Sequence, residues 1–402
     1  AIDPEMLETG ESLAQVNPVM QTQSVTNNKR GEMWSGNASV SWQIIQGLTF
    51  KSAGTYNTTN SRTDIFYKNG SKEAYRNGEQ PYGRTTMQRD VRWTNFNTLT
   101  WKQKVKKHNY DVMLGHEVSY KSTEYLLGEA MGFPFDQMEN DNMGLGATPS
   151  KVESTYYDKT LLSFYARANY NYDNRYLFTA TVRADGSTVF SSNKKWGFFP
   201  SFSAAWRVSE EAFMKDIKWI SNFKIRLGWG TVGNDNIPNY LSLDLYEANK
   251  YGIGNSSVTV LNPKQLRNKN LKWETSGSLD IALEGRLFNR FNFSLDFFNK
   301  TSKDLLFTVY NPLSAGATDW YATSDETPSG MSQYFANIGS VRNTGLEVAM
   351  DVDAIRTKDW KWNIGLNLTT IHNEITKLPG GKDILHGTQN YSEGHSIYEF
   401  YT

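Results

Sequence analysis

Along most of the chain, apolar and polar residues alternate one by one. The clearest example runs from Phe223 to Trp229, where large apolar side chains alternate with charged residues and glycine. A period of two is produced by a β-strand whose two faces meet different surroundings. The pattern therefore predicts strands with one apolar and one polar face. It recurs clearly in four further stretches, 162–170, 291–297, 346–353 and 360–369.

The alternating stretches come in pairs and predict about twelve strands in about six hairpins. Short connections within a pair and long connections between pairs are expected to alternate strictly, as in outer-membrane barrels whose short turns and long loops face opposite sides. Many strands exceed the roughly 5 to 6 residues of soluble sheets and reach the roughly 9 to 11 of membrane strands. The predicted pairs are 31–45 with 48–60, 86–105 with 110–127, 155–172 with 175–190, 196–209 with 221–232, 271–287 with 291–306 and 334–354 with 360–377.

The predicted fold class is all-β, an antiparallel transmembrane β-barrel. Residues 1–30 mix proline, glycine and polar residues and are expected to form a connecting segment, and residues 31–402 supply the barrel strands with long extracellular loops. The connection 210–220 is the one stretch with an amphipathic helical pattern. An apolar run of the roughly 20 residues that a spanning helix needs is not found.

Composition narrows the choice of partners. Lys plus Arg equals Asp plus Glu at 42 each, so the charge balance gives no reason to expect a nucleic-acid partner. The chain has 22 Tyr, 21 Phe and 12 Trp, a supply that suits strands and the aromatic girdles of membrane barrels. Zero Cys excludes disulfides and a Cys nucleophile. The chain does not open on a signal peptide, which implies that one was removed or that the sequence is an internal piece.

The residues that carry chemistry elsewhere form no catalytic motif here, and the chain is not expected to be an enzyme. Ser-x-x-Lys occurs at Ser192 and at Ser221 without its companion motifs, and the five His residues lack metal-ligand spacing. Acidic residues on polar strand faces are expected to line a water-filled lumen rather than to form a glycosidase pair. These acids are Asp280, Glu284, Asp296, Glu347 and Asp351.

Two loop features are candidates for ligand binding. Carboxylates clustered in one acidic loop suit calcium, the one cofactor candidate, although the spacing is irregular and a solvated loop is the alternative. Aromatic side chains in the two longest excursions could stack on a sugar face or a peptide side chain, or pack the loops together instead. The calcium candidates are Asp136, Glu139 and Asp141, and the substrate-binding candidates are Tyr240, Tyr246, Tyr251, Trp320 and Tyr321.

Four stretches in a fixed order resemble the barrel of the SusC/RagA family of TonB-dependent outer-membrane transporters. They read FPSFSAAWRVSEEAFM over 199–214, LGWGTVGNDNIPNY over 227–240, LKWET over 271–275 and NIGSVRNTGLE over 337–347. The resemblance covers roughly residues 154–401 and is carried by architectural motifs, so it transfers no functional residue. Gly228, Gly230 and Gly233 are expected to let the strand bend and the loop leave.

The resemblance implies a 22-stranded barrel holding a plug domain, in the outer membrane of a Gram-negative bacterium of Bacteroidetes type. It also implies import of an oligosaccharide or peptide under a SusD-like surface lipoprotein, with energy from a TonB complex reached through an N-terminal part. Plug and TonB-box segments are not found before the strands, and about ten strands and the usual aromatic C-terminus are missing after Thr402. The chain is therefore expected to be a central portion of such a protein.

Two other classes stay open at this point. A self-contained barrel of about twelve strands, acting as an outer-membrane enzyme or adhesin, would pair 31–45 with 360–377. A soluble carbohydrate-binding sandwich would bury Phe223, Ile225, Leu227 and Trp229 against a second sheet.

Overall fold

A computed structural model describes residues 18–76, 78, 80–254, 256–265, 267–310, 333–386 and 389–399. Two short helices, α1 (Pro18–Ser24) and α2 (Lys72–Arg76), accompany sixteen strands. Twelve strands form one sheet and confirm the predicted hairpins. They are β1 Val25–Ile45, β2 Leu48–Tyr67, β3 Tyr82–Val105, β4 His108–Met131, β5 Thr148–Tyr172, β6 Tyr176–Ser187, β7 Trp196–Arg207, β8 Ile220–Asn234, β11 Glu274–Leu287, β12 Phe291–Tyr310, β13 Gln333–Arg356 and β14 Lys361–Lys377. Two further pairs stand apart, β9 Leu245–Ile253 with β10 Ser256–Gln265, and β15 Ile384–His386 with β16 Gln389–Tyr391.

Tight turns fix the register of the hairpins. Asp173 and Asn174 both have φ above +50°, as do Phe288 and Asn289 in a later turn. A turn with two consecutive residues in the left-handed conformation has a backbone twist that matches the twist of the flanking strands, so it favours a β-hairpin. Gly47, with φ +84°, is a glycine because a Cβ there would overlap the Lys102 carbonyl oxygen. The turn sequences thereby set which residues face each other across each pair.

The predicted strict alternation of connection lengths is wrong at one place. The connection 208–219, at the short-turn end, is longer than the connection 188–195 at the opposite end. Instead of the helical pattern, two 3₁₀ turns form at Val208–Glu210 and Ala212–Met214. Glu211 ties this segment to the strands, since its carboxylate accepts hydrogen bonds from the Tyr176 hydroxyl at 2.6 Å and the Trp206 indole at 3.1 Å. These bonds hold the pKa of Glu211 below its ordinary value.

Cross-strand register lines the apolar residues up into rows. One row, called the apolar row below, passes through Ile225, Leu283, Leu295, Val348 and Leu368 on five adjacent strands. Its neighbours Leu227 and Trp229 are 41% and 46% exposed. A soluble sandwich would bury these side chains, so the sandwich alternative is wrong. An exposed apolar face of this extent is a surface for lipid.

The two ends of the sheet separate the remaining alternatives. β1 and β14 lie at opposite ends of the strand order, which otherwise follows the chain. A self-contained twelve-stranded barrel needs those two strands to pair, and that pairing is not formed. Within the described ranges, none of the helices is long and apolar enough to traverse a bilayer.

The chain divides into two compact units. One contains Ala53–Asn95, Ser119–Thr160 and the chain up to Ser39, and the other contains Val40–Ser52, Phe96–Val118 and the rest from Leu161. The first unit has a small core in which Phe66 and Phe133 meet edge to face at 5.1 Å. The Asn140 amide donates to the Arg84 carbonyl at 2.9 Å and so holds the 3₁₀ segment Glu139–Leu145 in place.

The larger core of the second unit lies where the long connections leave the sheet. Trp273 is only 7% exposed and packs against Phe190 and Phe199, while its indole donates to the Lys195 carbonyl at 2.9 Å. Asn337 exchanges two hydrogen bonds with the Lys272 backbone, at 2.8 and 2.9 Å. The residues that carry the SusC/RagA resemblance are thus architectural, as expected. The buried cluster comprises Val189, Phe190, Phe199, Ile237, Leu241, Leu271 and Trp273.

Two of the three glycines of β8 have a packing role that the sequence did not indicate, and the expected bend stays a prediction. In the described backbone Gly228, Gly230 and Gly233 do not take positive φ. A Cβ on Gly233 would overlap the Phe199 ring, and a Cβ on Gly230 would lie 2.8 Å from Cβ of Ser201. Two of the glycines therefore make room for neighbouring side chains, which is close packing rather than conformational freedom.

Replacing Gly233 by alanine is expected to cost about 1–3 kcal/mol, because the added methyl group displaces the Phe199 ring from its core. Gly228→Ala is the matched control, since the nearest atom to a Cβ there is 3.9 Å away. Urea titration of each full-length variant in lipid vesicles measures the free energy of unfolding. Equal losses for the two variants would show that the packing explanation is wrong.

Candidate functional site

The polar face of the second unit carries a network of ion pairs. On β8, Lys224 and Arg226 project to the face opposite the apolar row. Lys224 meets Glu284 of β11 at 2.5 Å, and Arg226 meets the same carboxylate at 3.2 Å. Arg226 also reaches Asp296 of β12 at 2.7 Å. The alternation of the strands places these charged side chains on the polar face. There the two cations pair with the two carboxylates across three strands.

The other three predicted acids share this face, and two of them accept hydrogen bonds from neutral groups. Asp280 accepts a hydrogen bond from Ser278 at 2.9 Å, and Asp351 accepts one from Asn292 at 3.0 Å. Glu347 lies directly opposite Asp296 in the register. All five predicted acids therefore lie on one hydrophilic surface, as expected of a face that meets water.

A second polar cluster centres on Arg183 of β6. Its guanidinium binds Asp185 at 2.7 Å, Glu117 at 3.2 Å and the Ser163 hydroxyl at 2.8 Å. It also lies over the Tyr165 ring, 5.3 Å from the centroid. With so many donors engaged, Arg183 ties three strands together on the polar face and supports the wall mechanically.

Three of the five predicted loop aromatics lie within the described residues, and these three do not share one face. Tyr246 and Tyr251 both lie on β9, where five residues of separation place them on opposite faces of the β9–β10 hairpin. Tyr240 takes a left-handed conformation, with φ +66°, before that hairpin begins. Trp320 and Tyr321 lie outside the described residues. Binding by these residues stays a prediction.

One of the three calcium candidates, Glu139, is already bound by other side chains of the protein. The Glu139 carboxylate binds the Lys68 ammonium at 2.9 Å and accepts a hydrogen bond from Thr26 at 2.8 Å. Burial raises the pKa of Glu139, but the hydrogen bonds from Lys68 and Thr26 outweigh it and leave that pKa lowered. Within the described ranges, clusters of three or more His, Asp or Glu side chains able to hold a metal ion are not found, and Asp136, Glu139 and Asp141 do not form one.

Sequence reasoning missed a group of aromatics on strands rather than loops. Tyr67, Tyr82 and Tyr125 lie on polar faces of β2, β3 and β4, where a wall in water would carry small or charged residues. The sequence could have shown this for β3, because Tyr82 and the exposed Trp93 lie an odd number of positions apart and therefore lie on opposite faces of the strand. The candidates for ligand binding were sought in loops, because residues there do not follow the strand alternation, and the tyrosines that do follow it were passed over.

The sequence matches a known family profile and several related proteins. A sequence profile described as "TonB dependent receptor-like, beta-barrel" matches residues 11–392. The chain is 29% identical over 398 residues to TonB-dependent receptor P3 of Formosa agariphila, covering 96% of this chain and 38% of that protein. It is 39% identical over 230 residues to TonB-dependent receptor SusC of Bacteroides thetaiotaomicron, covering 56% of this chain and 22% of that protein.

A solved structure shows the same fold. The RagAB peptide transporter matches with a TM-score of 0.81 at 24% identity, covering 93% of this chain and 40% of that one. Identity at this level speaks for the fold alone. The chain spans well under half the length of each of these relatives.

Proposed function

The chain belongs to the TonB-dependent receptor-like β-barrel family, in line with the SusC/RagA resemblance of its motifs, and on that premise we propose that it forms part of the wall of a nutrient importer. The importer carries an oligosaccharide or a peptide across the outer membrane of a Gram-negative bacterium. Energy comes from a TonB complex. Covalent chemistry is not involved, since the relatives are receptors and transporters rather than enzymes.

One observation carries this proposal, the unlike faces of a single sheet. The apolar row crosses five strands on one face, and the Lys224–Glu284–Arg226–Asp296 network crosses three of the same strands on the other. A sheet with exposed apolar side chains outside and paired charges inside separates lipid from water. That is the physical requirement of a wall through which a polar solute passes.

A lipoprotein lid of SusD type is the proposed partner. In the second unit, the long connection 235–273 runs between β8 and β11, whereas the turns 288–290 and 357–360 at the other end of these strands are three and four residues long. A connection of that length supplies a surface on which a second subunit can sit.

Copurification tests this proposal. We expect that the full-length native protein, extracted from outer membranes in detergent, brings a lipid-anchored second subunit with it through affinity and size-exclusion steps. The apolar face requires detergent, so removing it should precipitate the protein. A protein that comes out alone, and stays monodisperse without detergent, would contradict both the lid and the membrane wall.

A further inference from the structure

The polar face of the first unit carries a strip that combines aromatic rings with paired hydrogen-bonding groups. Tyr67 ends β2 and Tyr82 begins β3, and their rings stack with centroids 5.6 Å apart at an angle of 26°. Both are half-buried, so part of each ring stays accessible. The pair stands at the end of the strands from which the long connections leave.

An ion pair adjoins the stacked rings. Arg84 follows Tyr82 on the same face of β3, and both its Nε and one terminal nitrogen contact a single oxygen of Glu129, Oε1, at 2.5 Å. Because Tyr82 and Arg84 lie two residues apart on one strand, the Tyr82 ring stands beside this ion pair. The ion pair still leaves guanidinium donors that Glu129 does not use.

Hydrogen-bonding groups continue along the strip. Gln88 donates to Asp90 at 2.7 Å, and Thr123 of β4 donates to the other oxygen of Asp90 at 2.5 Å. Tyr125 lies on the same face of β4 as Thr123, two residues along. From Tyr82 to Asp90 the strip runs about 27 Å along the strand, at about 3.4 Å per residue.

The opposite face of the same strands is different in kind. There Trp93 stacks on Tyr120 with centroids 5.9 Å apart, and the Tyr120 and Tyr156 hydroxyls meet at 3.1 Å. These aromatics belong to the apolar side, whereas the tyrosines of the strip stand among carboxylate, guanidinium, amide and hydroxyl groups. The strip is therefore not a continuation of the apolar side.

We propose that this strip is a binding track for an extended oligosaccharide, with one sugar ring on the Tyr67–Tyr82 pair. The proposal rests on the proposed importer function and deepens it by naming the cargo class. The C–H face of a pyranose packs on an aromatic ring while its hydroxyls bond to planar charged groups beside it. Arg84 and Glu129 supply such groups, and the Gln88 amide, the Asp90 carboxylate and the Thr123 hydroxyl add further hydrogen-bonding groups along the length of a chain of sugars.

Binding of defined hexasaccharides to the purified full-length protein tests the proposal. The probes are maltohexaose, cellohexaose and laminarihexaose, with hexa-alanine as the peptide comparison, and isothermal titration calorimetry gives each Kd. We expect at least one hexasaccharide to bind with a Kd below 1 mM and hexa-alanine not to bind. The double variant Tyr67→Ala/Tyr82→Ala should weaken that binding about tenfold or more, the effect of removing an aromatic anchor.

Two further variants separate recognition from folding. Tyr82→Phe keeps the ring and should stay within about threefold of the native Kd, while Tyr120→Ala/Tyr156→Ala removes an equal number of tyrosines from the opposite face and should leave the Kd unchanged. Hexasaccharide binding that is absent, or that survives loss of both rings, overturns the proposal. Binding of hexa-alanine that requires Tyr82 overturns it too, in favour of peptide. In each of these cases copurification of the lid still decides the importer function separately.

Discussion

Replacing Val348 by arginine is expected to destabilise the folded protein by about 2–4 kcal/mol, the cost of a cation on the lipid face near the middle of a bilayer. Val348 belongs to the apolar row and pairs with Leu295 on one side and Leu368 on the other. Both direct cross-strand partners are aliphatic, so neither offers the guanidinium a hydrogen-bond acceptor. Lipid would replace the water that it needs.

Glu347→Arg is the matched control for Val348→Arg. The two positions are consecutive in β13 and differ in the face on which they project. An arginine at 347 meets water and lies opposite Asp296, so its effect should stay within about 0.5 kcal/mol. Urea titration of full-length protein in vesicles measures both variants, and comparable losses at 347 and 348 would contradict the assignment of the two faces.

Trp273→Leu is expected to cost about 2–4 kcal/mol, because it opens a cavity in the core where the long connections leave the sheet. The change removes ring contacts with Phe190 and Phe199 and leaves the Lys195 carbonyl without the indole donor. Since the core anchors the starts of several connections, we also expect faster amide hydrogen exchange in 188–195 and 235–241.

Trp229→Leu isolates the effect of burial. Trp229 is 46% exposed on the apolar face, so leucine keeps an apolar side chain against lipid and the free energy of unfolding should change by less than about 1 kcal/mol. The same substitution thus tests two environments. If Trp229→Leu proved the more costly change, the core at the loop end would not be the main anchor.

Alternation was enough to predict the sheet because every second residue of a strand projects to the same face, so a strand with one apolar and one polar face has an alternating sequence. The stretch from Phe223 to Trp229 gave the face of β8 correctly, and a tight turn sets the register of the hairpin β11–β12 beside it. The five acids of the wall could be placed on one surface for the same reason. Residues one apart on a strand never share a face, so the prediction needed no knowledge of the tertiary fold.

Contacts made across long sequence separations were beyond such reasoning. Tyr67 and Tyr82 stack although a whole connection lies between them, and the composition of neither strand shows it. The connection 210–220 was predicted to be helical because its apolar spacing is helical, yet two 3₁₀ turns form from Val208 onward, and hydrogen bonds to Glu211 tie them to the strands. Gly233 was assigned to bending because the Phe199 ring that fills its space comes from another strand.

The excursion between β8 and β11 also shapes how the sheet assembles. Five pairs of neighbouring strands in the twelve-stranded sheet are joined by only two to four residues of chain, so those hairpins can form locally and quickly. β8 must find β11 across 235–273, and closing a loop of that length rather than a two-residue turn costs about 2.6 kcal/mol more in chain entropy. The β9–β10 ribbon inside the excursion shortens its open length if it forms first. The spacing of the strands along the chain therefore predicts the order of assembly. The pairing of β8 with β11, which joins β1–β8 to β11–β14, is expected to be the slow step.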